Sequence, residues 1–287
     1  MQSGNYMQHN EIVLGTRGSK LALTQSQWVA DEITKMTGYS VVLRTIVTKG
    51  DRIQNKALPE VGGKGLFTAE LEEGLRNGTI DIAVHSLKDL PTENPEDLCI
   101  GAIPIREDPR DALVGIPEPK TVGTGSLRRH KQVQNIFSGR NVEVKGIRGN
   151  VDTRLKKRDD GIYDSIILAM AGLSRLGIQR DDIHPFSVHQ MVPAAGQGAL
   201  GIQAREHDAK ILSILSHIHH NDTALCVQGE RRVLEQIGGG CHTPIGCHIR
   251  KKEENIFEGF LFTGHICVEH TASTPELIAE YFILHHA

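Results

Sequence analysis

Twice along this chain, short β-branched runs alternate with stretches of helical period, and that alternation narrows the fold more than any other feature. Residues 11–16 read as a short buried strand that breaks at Arg17-Gly18-Ser19. A helix-period run follows, with Leu21, Leu23, Trp28, Val29, Ile33 and Met36 as its apolar stripe. Residues 41–47 alternate poorly and predict a strand buried on both faces. Residues 66–76 predict a helix, 80–85 a strand that ends in His85-Ser86-Leu87-Lys88-Asp89, and 98–105 another strand. After a polar turn at 106–110 the pattern repeats: strand 112–114, turn 122–126, helix 127–137, strand 142–145, turn 146–150, helix 151–158, strand 165–169 and helix 171–176. Such alternation implies parallel sheet layers joined by right-handed crossovers. Ligands of such sheets bind beyond the carboxyl ends of the strands. Ser19, Ser86, Lys88, Asp89, Ser126 and Arg148 all fall at or just after a predicted strand end.

The segment 193–198 reads as a return hinge, and 199–203 as a strand that rejoins the first sheet. Helices are expected at 209–217 and 223–236. Gly238-Gly239-Gly240 closes the second of these and opens a third region, with strands at 247–250, 257–262 and 265–268 and a helix from Pro275. Residues 49–65, with Gly50, Pro59, Gly62, Gly63 and Gly65 and little periodicity, read as a lid over a cleft, because structureless loops of that length are uncommon in compact domains without such a role.

Charge is distributed unevenly. Residues 120–180 carry 13 Lys/Arg against 5 Asp/Glu, while the rest of the chain holds 19 basic and 30 acidic residues. The overall balance of −3 therefore conceals one cationic region. Its arginines, Arg128, Arg129, Arg148, Arg154 and Arg175, stand among glycine-marked turns rather than along one helix face. Guanidinium forks so placed suit a polycarboxylate or phosphate; a solvated basic surface is the plainer reading. With aromatics at 4% and a single Trp, a base-stacking nucleic-acid binder is not expected. Residues 1–10 lack the apolar core of a signal peptide, and no apolar run approaches the roughly 18 residues of a membrane span. Five scattered cysteines are unlike a disulfide framework. A reduced, cytoplasmic protein is expected.

Three motifs carry chemistry. Val122-Gly123-Thr124-Gly125-Ser126-Leu127-Arg128-Arg129 is a glycine turn feeding a helix, and serves either as an anion pocket or as a helix cap. It has neither a dinucleotide fingerprint nor a Walker A pattern. Lys88-Asp89 is a surface ion pair by default; inside a cationic cleft its carboxylate would stay ionised, bind an N–H or stabilise a developing cation. Cys241 follows three glycines, which leave room for a bulky group against its sulfur. Cys241-His242 and Cys247-His248, near His217, His219 and His220, raise the question of a metal, but their spacing matches no zinc pattern and none is expected.

These segments together resemble the porphobilinogen deaminase (hydroxymethylbilane synthase) family. The resemblance is carried by Thr16-Arg17-Gly18-Ser19-Lys20-Leu21-Ala22, Val61-Gly62-Gly63-Lys64-Gly65-Leu66-Phe67, Asp81-Ile82-Ala83-Val84-His85-Ser86-Leu87-Lys88-Asp89-Leu90-Pro91, Arg106-Glu107-Asp108-Pro109-Arg110-Asp111-Ala112, Arg148-Gly149-Asn150, residues 193–198 and the glycines before Cys241, in order from about residue 12 to 246. It implies an α/β fold: two periplasmic-binding-protein-like α/β domains around a cleft plus a small α+β C-terminal domain. Domain 1 would comprise 1–105 and 197–218, domain 2 106–196, and domain 3 219–287. The implied activity is that of a transferase joining four porphobilinogen units, with release of ammonia, into the linear tetrapyrrole hydroxymethylbilane for tetrapyrrole and heme biosynthesis. The implied cofactor is a dipyrromethane held by a thioether to Cys241, and Asp89 would be the catalytic carboxylate. Ser86, Lys88, Thr124, Ser126, Arg128 and Arg129 match cofactor-binding positions. Arg17, Ser19, Arg148, Asn150, Arg154, Arg175 and Gln197 match substrate-binding ones. The small-molecule substrate would be the partner of a monomer, with no nucleic acid, membrane or metal. Gly125 and Gly146 stand where the family commonly has serine, and the region after Arg250 is short, so a trimmed or poorly packed third domain is expected. The competing class is a non-catalytic, two-domain periplasmic-type anion-binding protein, which leaves Cys241 without a purpose.

Overall fold

The computed structural model describes residues 11–52, 68–93, 95–238 and 243–286, and their strands gather into three sheets. The chain opens with β1 (Glu11–Thr16), α1 (Lys20–Thr37), β2 (Ser40–Thr45), the short α2 (Lys49–Arg52), α3 (Ala69–Arg76), β3 (Ile82–Ser86) and, after a single 3-10 turn at Leu87–Asp89, β4 (Leu98–Ala102). A second series runs β5 (Asp111–Gly115), β6 (Thr121–Gly123), α4 (Leu127–Ile136), β7 (Glu143–Lys145), α5 (Val151–Asp159), β8 (Ser165–Ala169), α6 (Met170–Arg175) and β9 (Ile183–Pro185). The chain then returns through β10 (Leu200–Arg205), α7 (Ala209–Leu215) and α8 (Asn221–Gln236). It ends in β11 (Gly246–Glu253), β12 (Ile256–Phe262), β13 (Cys267–Ala272) and α9 (Pro275–Leu284).

The first sheet has the order β2-β1-β3-β10-β4 and the second β7-β6-β8-β5-β9. Both are mixed, which corrects the all-parallel expectation. β1 pairs in parallel with β2 and β3, but the returning β10 runs antiparallel between β3 and β4. In the second sheet β6 is parallel to β7 and β8, whereas β5 is antiparallel to β8 and β9. A strand that returns from another lobe can enter the sheet in either direction, and local pattern carries no record of which. β9 gives no sequence signal at three residues, and β6 occupies the start of the stretch expected to be a turn.

Two further expectations are overturned. β2 is an edge strand with an alternating exposed and half-buried pattern, not one buried on both faces. On α1 the buried residues are Gln25, Ser26, Val29, Ala30 and Ile33, while Trp28 and Met36 face outward at 38% and 51% exposure. The two polar residues are buried because they have partners: Gln25 Nε2 donates to Ser86 Oγ at 3.1 Å and Ser26 Oγ to Thr16 Oγ1 at 2.7 Å. Bonds of this kind offset the desolvation of a buried amide or hydroxyl. α1 starts where Ser19 accepts from the Ala22 N–H and stops at Gly38, whose φ of 75° permits the left-handed cap.

The third sheet, β11-β12-β13, is antiparallel and carries α8 and α9. Its core of Val233, Ile245, Ile249, Phe257, Leu261, Ile278 and Phe282 is closed, which corrects the expectation of a poorly packed third region. Of the expected lid, residues 49–52 form α2 and 53–65 lie outside the described residues. Among the described residues, no helix is long and apolar enough to cross a membrane.

Candidate active site

The two segments that join the first and second sheets run side by side. The Glu107 N–H donates to the Gly198 carbonyl at 3.2 Å, and Arg106 Nε to the Gln197 carbonyl at 2.7 Å. Gly198 is required here: its φ is 87°, and a Cβ would collide with the Glu107 carbonyl. These crossings bring the carboxyl end of β3 close to the start of β5 and the amino end of α4.

At that meeting point Asp111, the first residue of β5, is wholly buried. Arg129 contacts its Oδ1 through Nη2 at 2.7 Å and Nε at 3.1 Å, and Arg128 Nη2 lies 2.7 Å from Oδ2. Gln197 Nε2 donates to Oδ1 at 2.9 Å, and Gln197 Oε1 accepts from Lys88 Nζ at 3.2 Å. Backbone carbonyls fix the far sides of the forks: Val192 O takes Arg128 Nη1 at 2.6 Å and Ile167 O takes Arg129 Nη1 at 3.2 Å. Burial opposes ionisation of Asp111, but Arg128, Arg129 and Lys88 outweigh it and hold the carboxyl far below its ordinary range. Burial also lowers Arg128, against the pull of Asp111.

Lys88 is an exposed residue whose ammonium is turned in to Gln197 and shielded there from solvent. That desolvation lowers its ammonium to about 8, with Arg129 and Arg128 adding to the effect and Asp89 and Asp111 opposing it. Asp89, at the end of the 3-10 turn, is exposed and acts electrostatically on both Lys88 and Arg154. Arg154 belongs to α5 of the second lobe. The structure thus sets the first-lobe carboxylate against a second-lobe guanidinium, whose charge is itself disfavoured by burial and by Arg129 and Arg148.

Thr124 and Ser126 shape the start of α4: Thr124 Oγ1 accepts from the Ser126 N–H at 3.2 Å, and Ser126 Oγ caps the helix by accepting from the Arg129 N–H at 3.4 Å. The capping geometry is therefore present, and it stands beside the cation cluster. Ser19 caps α1, Ser86 is paired with Gln25, and Asn150 precedes α5 without a side-chain cap bond. Arg154 Nε donates to the Gly149 carbonyl at 2.7 Å, and Arg148 is exposed on the same turn. Arg175 is farther from the cluster in its bonding: its Nη2 donates to the Gly198 carbonyl at 2.7 Å, and burial lowers it to about 10 despite Glu107. Arg17 follows β1, and its charge acts on His85 of the adjacent β3. Cys241 lies outside the described residues.

Sequence reasoning passed over Asp111, His85 and Glu230. Asp111 stood inside a quoted motif, and a lone acid at the mouth of an apolar strand was the signal available. His85 bonds through Nε2 to Gln203 Oε1 at 3.0 Å, and burial lowers it to about 4. Glu230 of α8 takes both Nη atoms of Arg106, at 2.6 and 3.0 Å, the Gly196 and Ile249 N–H groups at 2.7 and 2.8 Å, and His248 Nδ1 at 3.2 Å. Nothing in its sequence neighbourhood marks it. A separate cavity of about 430 Å³ lies behind the crossing, between residues 106–110 and β11, and is lined by none of the candidate site residues. Among the described residues no group of three or more His, Cys, Asp or Glu is placed to hold a metal.

Comparison with known proteins gives a single answer. Residues 12–213 match the family model described as porphobilinogen deaminase, dipyromethane cofactor binding domain. A porphobilinogen deaminase of Macrococcus caseolyticus is 45% identical over 264 residues, which is 88% of this chain and 85% of the relative. That of Shouchella clausii is 46% identical over 82% of this chain and 78% of its own, and one from Staphylococcus aureus 43% identical over 88% and 85%. Solved structures are similar at a distance: a methionine-binding protein, MetQ, shares 12% identity over 75% of this chain and 92% of its own, with a TM-score of 0.46.

Proposed function

Because this chain belongs to the porphobilinogen deaminase family, we infer that its cleft joins four porphobilinogen units into hydroxymethylbilane, and that Asp89 carries the chemistry. The observation that supports the role of Asp89 most directly is its placement: an exposed carboxylate that acts electrostatically on Lys88 beside it and on Arg154 of the second lobe. When the aminomethyl C–N bond of porphobilinogen breaks, ammonia leaves and the pyrrole retains a positive charge. Asp89 would stabilise that charge from one side. The free α-carbon of the acceptor forms the new C–C bond and gives up its proton, and a water finally releases the linear product. A fixed carboxylate aimed at developing charge is preorganised electrostatic stabilisation.

The donor set fits a dipyrromethane. Each of its pyrroles bears an acetate and a propionate, and Lys88, Arg128 and Arg129 are cations whose ordinary partners are carboxylates. A dipyrromethane bound through a thioether to Cys241 would supply the acceptor carbon for the first condensation. Arg17, Arg148 and Arg154 would hold the carboxylates of incoming substrate through charge-assisted bonds of about 1.5–3 kcal/mol each. Ser19, Asn150, Arg175 and Gln197 would support them from the surrounding backbone.

Two of the other cysteines are poor alternatives to Cys241 as the attachment point. Cys226 and Cys247 are buried, and burial pushes the Cys226 thiol up to about 12 and the Cys247 thiol higher than an ordinary cysteine. Neither would form the thiolate that attacks a carbon. Intact-protein mass tests the assignment: the wild type should carry two pyrrole units, and Cys241→Ala should be folded, inactive and colourless with acidic aldehyde reagent. A coloured and active Cys241→Ala protein would overturn it. A monomer in the reducing cytoplasm completes the reading, and sedimentation at working concentration checks the first part.

A further inference from the structure

We propose that Asp111 is a positioning residue, an internal carboxylate that sets the Arg128 and Arg129 forks and the Lys88–Gln197 pair as one clamp spanning both lobes. The proposal rests on the functional reading above and adds a role that Asp111 itself never performs on substrate, since it is fully enclosed. Its contacts come from three separate parts of the chain. Arg128 and Arg129 arrive on the first turn of α4, Gln197 on the returning crossing, and Lys88 through Gln197 from the end of β3.

Geometry makes this more than charge neutralisation. A guanidinium has five N–H groups. Arg128 donates one to Val192 O and lies as an ion pair against Asp111 Oδ2, which accepts no hydrogen bond, and Arg129 uses three on Asp111 and Ile167 O. The Arg129 fork is thus locked in plane and direction, and Arg128 is held by Val192 O and by the charge of Asp111, while each keeps N–H groups in reserve for a ligand. A clamp fixed before its ligand arrives loses little freedom on binding. Asp111 also bears on Lys88. The charged groups acting on that ammonium are Asp89, Asp111, Arg128 and Arg129. The two carboxylates support its protonated form and the two arginines oppose it, so removing Asp111 leaves Lys88 to lose its proton at lower pH.

The test uses the full chain, prepared without porphobilinogen, as wild type, Asp111→Asn and Asp111→Glu. Each is mixed with porphobilinogen, and the two-pyrrole adduct is followed by intact mass across pH, with circular dichroism as a check on folding. Asp111→Asn should load about tenfold or more slowly, and its alkaline limb should move to lower pH. Asp111→Glu should keep the wild-type alkaline limb, because it keeps the charge, but load slowly, because the longer arm displaces the forks. Loading by Asp111→Asn at wild-type speed or faster overturns the proposal, since Asp111 would then compete with the ligand. If Asp111→Asn does not fold, Asp111→Glu decides: loading at the wild-type rate overturns the proposal. A wild type that acquires no adduct refutes the functional reading instead, and leaves a different signature from either variant failing alone.

Discussion

Asp89 and Asp111 both act on Lys88, and their surroundings give them different work. Asp111 is enclosed between two guanidinium groups and the Gln197 amide; Asp89 is exposed. Asp89→Asn keeps the size of the side chain and removes the charge that, in the proposed function, would face the developing cation. It should retain the cofactor and bind porphobilinogen while kcat falls about 10²-fold or more, read from steady-state rates beside the mass of enzyme–substrate adducts. Turnover near the wild-type rate would make Asp89 an ion-pair partner only. His85 gives a prediction in pH. Its buried imidazole is lowered from about 6.5 to about 4, so the folded protein binds fewer protons there than the unfolded chain. The associated stability is complete above 6.5 and is lost as pH falls from 6.5 through 4, on the order of 3 kcal/mol. Thermal melts of wild type and His85→Gln between pH 4 and 7 should differ in slope. Parallel curves would show that His85 is not the group responsible.

Among the elements, helix starts and sheet faces carry the information. Ser126 is at once the cap of α4 and the neighbour of the cation cluster, which leaves both sequence readings of the glycine turn physically compatible. Ser126→Ala should cost about 1 kcal/mol of stability through the lost cap, measured by denaturant titration, and should also raise KM for porphobilinogen. An unchanged KM would reduce Ser126 to a cap. Gly259 in β12 tests the packing of the third sheet. A Cβ there would meet the Phe282 ring, with Cε2 at 2.9 Å, as well as Ile278. Gly259→Ala should therefore destabilise by about 1–3 kcal/mol from overpacking. A neutral outcome in a thermal melt would mean that α9 can shift off the sheet. The strand pattern of β12 identified it as β structure; only the approach of α9 shows why one of its residues has no side chain.

For the molecule as a whole, Glu230 joins what the lobes separate. One buried carboxylate receives Arg106 from the first crossing, the Gly196 N–H from the second, and His248 and the Ile249 N–H from the third sheet. Burial opposes its charge, but Arg106 and His248 bring it down to about 2. Glu230→Gln should destabilise by about 3–5 kcal/mol, because Arg106 is left buried without its counter-ion; a loss below 1 kcal/mol in denaturant melts would mean that water or another acid takes over. Glu230 therefore ties α8, both crossings and the third sheet to one another. Sequence by itself determined the alternating elements, the cationic region and the motif residues such as Lys88, Asp89, Arg128 and Arg129, because helical and strand periods, caps and turn glycines act over a few residues. Tertiary structure alone decided the antiparallel entry of β10, the edge position of β2, and the meeting of Asp111 with Arg128, Arg129 and Gln197 and of Glu230 with Arg106. Those depend on contacts between residues 17 to more than 120 positions apart, and a carboxylate's partner at such separation is set by how the lobes pack, not by the residues beside it.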